Sequence, residues 1–170
     1  MRVSTPLALL LSLVLAACAA KDPDPAPLPA GMPALGPEVR IASVEVAIDR
    51  DGVSPSGIAS LEKYEIAEKV RAAVGEALGP RRGQHGEGDL VLHIEIDHFR
   101  LRSGGSAFWL GAMGGADSIK VTVEVLRGDS PIKSYATDTS TVLGGIAYAS
   151  PTRRSNRLVK TISERIVAGL

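Results

Sequence analysis

The chain has 170 residues, enough for one domain or a domain with a tail and too few for two ordinary domains. Its apolar fraction of 45% against 22% charged residues excludes a disordered or fibrous chain. Nineteen basic residues balance nineteen acidic ones, which argues against a dedicated electrostatic footprint for nucleic acid.

The first residues are processing information. Arg2 supplies a positive start, and "LALLLSLVLAA" from Leu7 to Ala17 is an apolar run of the length of a signal peptide, too short to span a bilayer. The run ends in "LAAC", Leu15 to Cys18, where small residues precede the only cysteine of the chain. This resembles the bacterial lipoprotein signal, the lipobox, at all four positions. The resemblance implies cleavage before Cys18, with a diacylglycerol on its thiol and an acyl group on its new amine. At about 0.8 kcal/mol per buried methylene, two or three chains anchor a protein stably. The alternative is a plain secretory signal cut at an Ala-x-Ala-like site, leaving an incidental cysteine. With no second cysteine to pair, stability must come from the core. Ala19 and Ala20 follow Cys18, where an Asp in lipoproteins of this kind favours the inner membrane. By resemblance, the expected address is the periplasmic face of the outer membrane.

"KDPDPAPLPAGMPALGP", Lys21 to Pro37, cannot sustain helix or sheet hydrogen bonding, because each proline lacks a donor and fixes its own φ. It reads as an extended tether reaching on the order of 50 Å at about 3.1 Å per residue, or else as a proline-motif ligand for a groove-bearing partner. The expected organisation is a signal peptide over residues 1–17, an acylated Cys18 with its tether over 18–38, and a single domain over 39–170.

"VRIASVEVAID" alternates as a first strand. Ala42, Val44, Val46 and Ile48 are expected to face the core, with Val39, Ile41, Ser43 and Glu45 on the other parity. "RDGVSPSG" is turn material, and its "DRDG" lacks the remaining ligands of a calcium loop. In "ASLEKYEIAEKVRAAVGEAL" the apolar residues Leu61, Ile66, Val70, Ala73, Val74, Ala77 and Leu78 recur at helical spacing. One amphipathic helix is predicted, capped by Ser60 and stopped by Gly79-Pro80.

After the polar loop "RRGQHGEGD", Leu90, Leu92, Ile94 and Ile96 share one strand face and His93, Glu95 and Asp97 the other. Phe99 and Leu101 then resume the apolar pattern out of phase, which predicts a bulge near Asp97. "SIKVTVEVL" alternates through Ile119, Val121, Val123 and Val125, and "GDSP" turns into a fourth strand, "IKSYATDTSTV". "SPTRRSNRLVKTISERIVAGL" closes with a helix capped by Ser150, with Pro151 in its first turn and Leu158, Ile162 and Ile166 facing inward. The order β-α-β-β-β-α predicts an α+β two-layer sandwich, a mostly antiparallel four-stranded sheet with two helices.

The lipobox, this element order, "GGADSIKVTVEV", "GDSPIKSYATDTS" and the "GG" loop before the last helix together resemble a family of uncharacterised bacterial lipoproteins. That family's domain is similar in architecture to the amino-terminal domain of the Tol-system translocation protein and to the curli-secretion lipoprotein. The resemblance covers about Val39 to Leu170. It implies envelope assembly or export work, with no catalytic site to transfer and no cofactor.

Three patterns bear on chemistry. In "HIEIDH", His93, Glu95 and Asp97 would share one strand face beside His98, a possible metal set; alternating polar residues on a solvent face are the simpler reading. Ser106 fails the G-x-S-x-G elbow because Phe108 stands at the last glycine. "GAMGG" has neither dinucleotide nor P-loop spacing. No catalytic or metal-binding residues are assigned. Arg81, Arg82, Arg153, Arg154 and Arg157 read as a solvated face, with a basic patch for anionic headgroups as the alternative.

The remaining signal is "SGGSAFWLGAMGGADS", Ser103 to Ser118, where the only tryptophan, Trp109, stands with Phe108, Leu110 and Met113 among glycines. The apolar residues either fold back over an open end of the sandwich, or meet a partner protein, a second copy or the bilayer, or form a lid. The expected function is a lipid-anchored, non-catalytic periplasmic interaction module of the outer membrane that supports envelope assembly or export. Its expected contacts are the membrane through Cys18 and an envelope protein, or itself, through the 103–118 loop. The alternative is a small-ligand or lipid-binding lipoprotein.

Overall fold

The computed structural model describes residues 35–36, 39–83, 90–103, 105, 115–142 and 150–170. The signal, Cys18 and nearly all of the tether lie outside these residues, as do Phe108, Trp109, Leu110 and Met113.

Four strands, β1 (Ile41–Ile48), β2 (Leu90–Arg100), β3 (Asp117–Arg127) and β4 (Ser130–Thr141), form one sheet in chain order. β1 runs parallel to β2, and the other two pairings are antiparallel. Parallel pairing requires a crossover, and it is made by two helices, α1 (Pro55–Lys63) and α2 (Ile66–Ala77), followed by a 3₁₀ turn over Gly79–Arg81. The last helix, α3 (Pro151–Ala168), lies beside α2 and across β3 and β4. The result is the expected α+β two-layer sandwich, with α1, α2 and α3 among the described residues where two helices were expected.

The core lies between helices and sheet. Leu92, Ile94, Ile96, Phe99, Ile119, Val121, Val123 and Val125 meet Leu61, Ile66, Val70, Val74, Leu158, Ile162 and Ile166, all buried. The predicted bulge is present as a register shift between Ile96 and His98, which turns Phe99 inward against Ile119.

Three local expectations are corrected. Ile41, assigned to the outer parity of β1, is buried, because a register shift between Ile41 and Ser43 reverses the alternation there. The crossover helix starts earlier than predicted: Ser54, not Ser60, is its cap, accepting from the Gly57 amide at 3.2 Å with Pro55 behind it. Ser60 donates instead to the Ser56 carbonyl within the helix.

The predicted single helix is also broken at Tyr64-Glu65. Leu61 and Ile66 are five positions apart, about 140° around a continuous helix, so one unbroken cylinder could not bury both well. Glu65 resolves the conflict by adopting φ 53°, ψ 43°. That left-handed conformation costs a non-glycine residue roughly 1–2 kcal/mol, and both apolar side chains reach the core in return.

Candidate interaction site at the loop end of the sheet

The two ends of the sandwich carry different parts of the chain. At one end, the chain enters at Leu35, whose amide donates to the Leu170 carbonyl at 2.5 Å. At the other, β2 ends and β3 begins, with Arg102 and Asp117 against the first turn of α3. α3 separates these ends by about 27 Å over its 18 residues at 1.5 Å per residue.

Beneath the roots of the 103–118 loop lies a buried ionic cluster. Asp117, the first residue of β3, is 0% exposed, Arg102 5% and Arg154 1%. The Arg154 guanidinium donates through Nη1 to both Asp117 oxygens at 2.8 Å, and through Nη2 to the Arg102 carbonyl at 2.6 Å. Arg102 donates its backbone amide to Asp117 Oδ1 at 2.7 Å, and its Nε and Nη2 to the same carboxylate at 3.3 Å. One carboxylate therefore ties the end of β2 and the start of β3 to the first turn of α3. At the loop's exit, Gly115 has φ +82°, and a Cβ there would lie 2.8 Å from Arg100 Nη1. Glycine adopts that backbone angle without strain.

Arg154, expected on a solvated face, is buried instead. Arg154, Leu158, Ile162 and Ile166 follow at steps of four along the buried stripe of α3, a periodicity that marks Arg154 as inward-facing. Asp117 carried no such signal, being the last acid of a glycine-rich loop. The five arginines do not form one patch: Arg81 and Arg82 follow α2, while Arg153, Arg154 and Arg157 begin α3 at the opposite end.

The polar residues of "HIEIDH" lie on the sheet face away from the helices. His93 Nδ1 is 3.8 Å from Glu45 Oε2 of the paired strand, Thr122 donates to Asp97 at 2.9 Å, and His98 Nε2 is 3.0 Å from Ser118 Oγ. His93, Asp97 and His98 engage cross-strand neighbours, and among the described residues no three His, Cys, Asp or Glu side chains converge as metal ligands.

The end where the chain enters is held differently. Lys133 Nζ donates to the Leu170 carbonyl at 3.4 Å, Arg81 Nη2 to the Leu35 carbonyl at 3.4 Å, and the Tyr135 hydroxyl to the Ile166 carbonyl. Burial, with the nearby Arg81 charge, lowers the Lys133 pKa. Burial raises that of Tyr135 well above the ordinary phenol value, against a smaller opposing pull from Arg81. These groups bind main-chain carbonyls, with Lys133 Nζ also 5.8 Å from the centre of the Tyr135 ring. Among the described residues no helix is long and apolar enough to cross a membrane.

No family model matches the sequence, and no curated protein matches it. Solved structures similar to the chain include the PelC dodecamer from Paraburkholderia phytofirmans, at 19% identity and a TM-score of 0.38 over 79% of this chain and 91% of that one. The protein XCC0632 from Xanthomonas campestris aligns at 12% identity and a TM-score of 0.42, covering 78% of this chain and 86% of its own. A candidate lipoprotein from Caulobacter crescentus aligns at 14% identity and 0.37, covering 74% and 88%.

Proposed function

We propose that the protein is a lipid-anchored, non-catalytic interaction module of the bacterial envelope, held through Cys18 at the periplasmic face of the outer membrane. It presents the Phe108-Trp109-Leu110 segment, with Met113, to a protein partner in envelope assembly or export. The observation that carries this reading is the placement of the loop's roots. They are fixed by the Arg102–Asp117–Arg154 cluster at the end of the sandwich opposite Leu35, where the chain enters from the tether. A rigid base supports a glycine-rich contact loop without dictating its conformation. Its position away from the tether favours a protein partner over the bilayer that holds the anchor.

The test uses the full chain in detergent, where Trp109 is the only tryptophan. The expected result is red-shifted emission open to acrylamide quenching, together with crosslinking of position 109 to one defined envelope protein. Blue, unquenched emission would mean that the loop covers its own domain and would overturn the contact role. Replacement of Cys18 by Ser is expected to release the protein from the membrane; continued membrane retention would count against the anchor.

A further inference from the structure

β1 borders the sheet, and among the described residues its outer side meets the chain only at Arg82-Gly83, which bridges to Ile41 and donates the Gly83 amide to the Ile41 carbonyl at 2.9 Å. Beyond Ile41 the direction of each main-chain group follows from one bond. The Asp49 amide donates inward to the Ile96 carbonyl of β2 at 3.1 Å. In a paired strand the N–H and C=O groups of one residue point to one side and those of the next to the other. Ser43, Glu45 and Ala47 therefore also face β2, while Val44, Val46 and Ile48 present theirs outward. Among the described residues, no main-chain group outside the ladder takes up the outward donors and acceptors of these three.

The same stretch has two distinct flanks. On the helix side, Val44, Val46 and Ile48 are only half-buried against the core, although the residues paired with them, Leu92, Ile94 and Ile96, are fully buried. On the open side stands Glu45, its side chain 63% exposed, beside His93; Glu124 is paired with His93, and Glu95 with Ala47. Neither β1 nor the part of β2 before Arg100 contains a lysine or arginine. A plain strand edge invites pairing, and this one is completed by an added strand whose alternate residues are apolar and basic. A second copy of β1 does not meet that description. In every symmetric antiparallel register centred on Val44, Glu45 or Val46, Glu45 stands opposite or diagonal to the Glu45 of the other copy, and like charges so placed repel.

We propose that the outer edge of β1, from Val44 to Ile48, is a docking line for an extended segment of another protein, with apolar residues toward the helices and basic residues toward Glu45. The segment continues the sheet as an added strand, held by main-chain bonds to the three outward residues. This edge does not depend on what the Trp109 loop contacts.

The test follows amide hydrogen exchange by NMR in the full chain in detergent, with and without a labelled peptide of roughly eight residues that alternates valine and lysine. In the free protein the amides of Val44, Val46 and Ile48 are expected to exchange faster than those of Glu45, Ala47 and Asp49, and the peptide is expected to slow them. Binding of this peptide, read by fluorescence anisotropy, is expected to exceed that of a valine–glutamate peptide about fivefold or more. Val46→Pro removes an outward donor and leaves the ladder to β2 intact, so it is expected to weaken binding about tenfold. Equal binding of the two peptides, or binding undiminished in Val46→Pro, would overturn the proposal. Slow exchange of the outward amides in the free chain would also overturn it: independent of concentration, it would mean that the chain covers its own edge, and rising with concentration, that a second copy does. Should Val46→Pro not fold, Glu45→Lys is expected to reverse the preference between the two peptides, and an unchanged preference would be equally fatal. Trp109→Ala is expected to leave peptide binding intact; its loss in that variant would move the peptide from the edge to the loop.

Discussion

Both ends of α3 are fastened to the sheet by buried polar groups, but by different means. At the loop end, charge meets charge: one carboxylate holds two guanidiniums from different elements. At the tether end, a lysine, a tyrosine and an arginine hold main-chain oxygens. The difference teaches where sensitivity is stored. Removing one partner of a buried ion pair strands a charge, whereas removing a donor from a carbonyl strands only a dipole.

The largest test of that contrast is Asp117→Asn, which removes the charge of the carboxylate that both buried guanidiniums share. It is expected to cost about 3–5 kcal/mol, read as a lower urea midpoint of the full chain. A loss no larger than that of Tyr135→Phe would remove the distinction between the ends. At the tether end the largest effect is expected from packing. A Cβ on Gly169 would lie 2.5 Å from the Tyr135 ring, so Gly169→Ala is expected to cost about 1–3 kcal/mol by forcing the ring from its place. Equal stability of Gly169→Ala and the parent would show that the ring moves freely.

Tyr135→Phe removes the hydroxyl bond to Ile166 and is expected to cost about 1 kcal/mol at neutral pH. It also sharpens the contrast by pH. The folded-state pKa of Tyr135 is raised above the ordinary 10.0, so its contribution is fully present below pH 10 and is lost as pH rises toward the folded value. The parent should therefore lose stability above pH 10 more steeply than Tyr135→Phe. Parallel stability curves above pH 10 would contradict this. The smallest effect belongs to neither end: Glu65→Gly removes left-handed strain and is expected to raise stability by about 0.5–1 kcal/mol. A lower Tm in this variant would mean that the Glu65 side chain supports the break in ways its backbone does not reveal.

Much of the fold was legible in the sequence because alternation and helical spacing are direct records of burial. β2, β3, the bulge before Phe99 and the Ser150-Pro151 start of α3 are of this kind. The sequence misleads where one signal is complete only with its companion. Ser54-Pro55 is the same cap-and-proline pair as Ser150-Pro151, yet it sat within apparent turn residues. The five-residue step from Leu61 to Ile66 announced a break in the helix. Ile41 defeats alternation, since a bulge at a strand's start has no pattern before it to violate. For the candidate site, the loop was legible from its glycines and aromatic residues, but not its base. Asp117 and Arg102 gain their meaning from Arg154, which comes 37 residues after Asp117 in the chain, and such long-range pairing leaves no local trace.

Among the described residues, β4 is an edge strand of the sheet, with no strand beyond it. Its Pro131 lacks a donor, the Arg165 guanidinium takes up the Asp138 carbonyl, and Lys133 turns its charge inward. A second copy zipping along this edge would meet a missing donor, an occupied acceptor and a cation to be buried further. The strand is thereby guarded against open-ended polymerisation. If the proposed Cys18 anchor crowds many copies onto one surface, such a guard matters most, and ordered assembly there would use a surface other than the β4 edge.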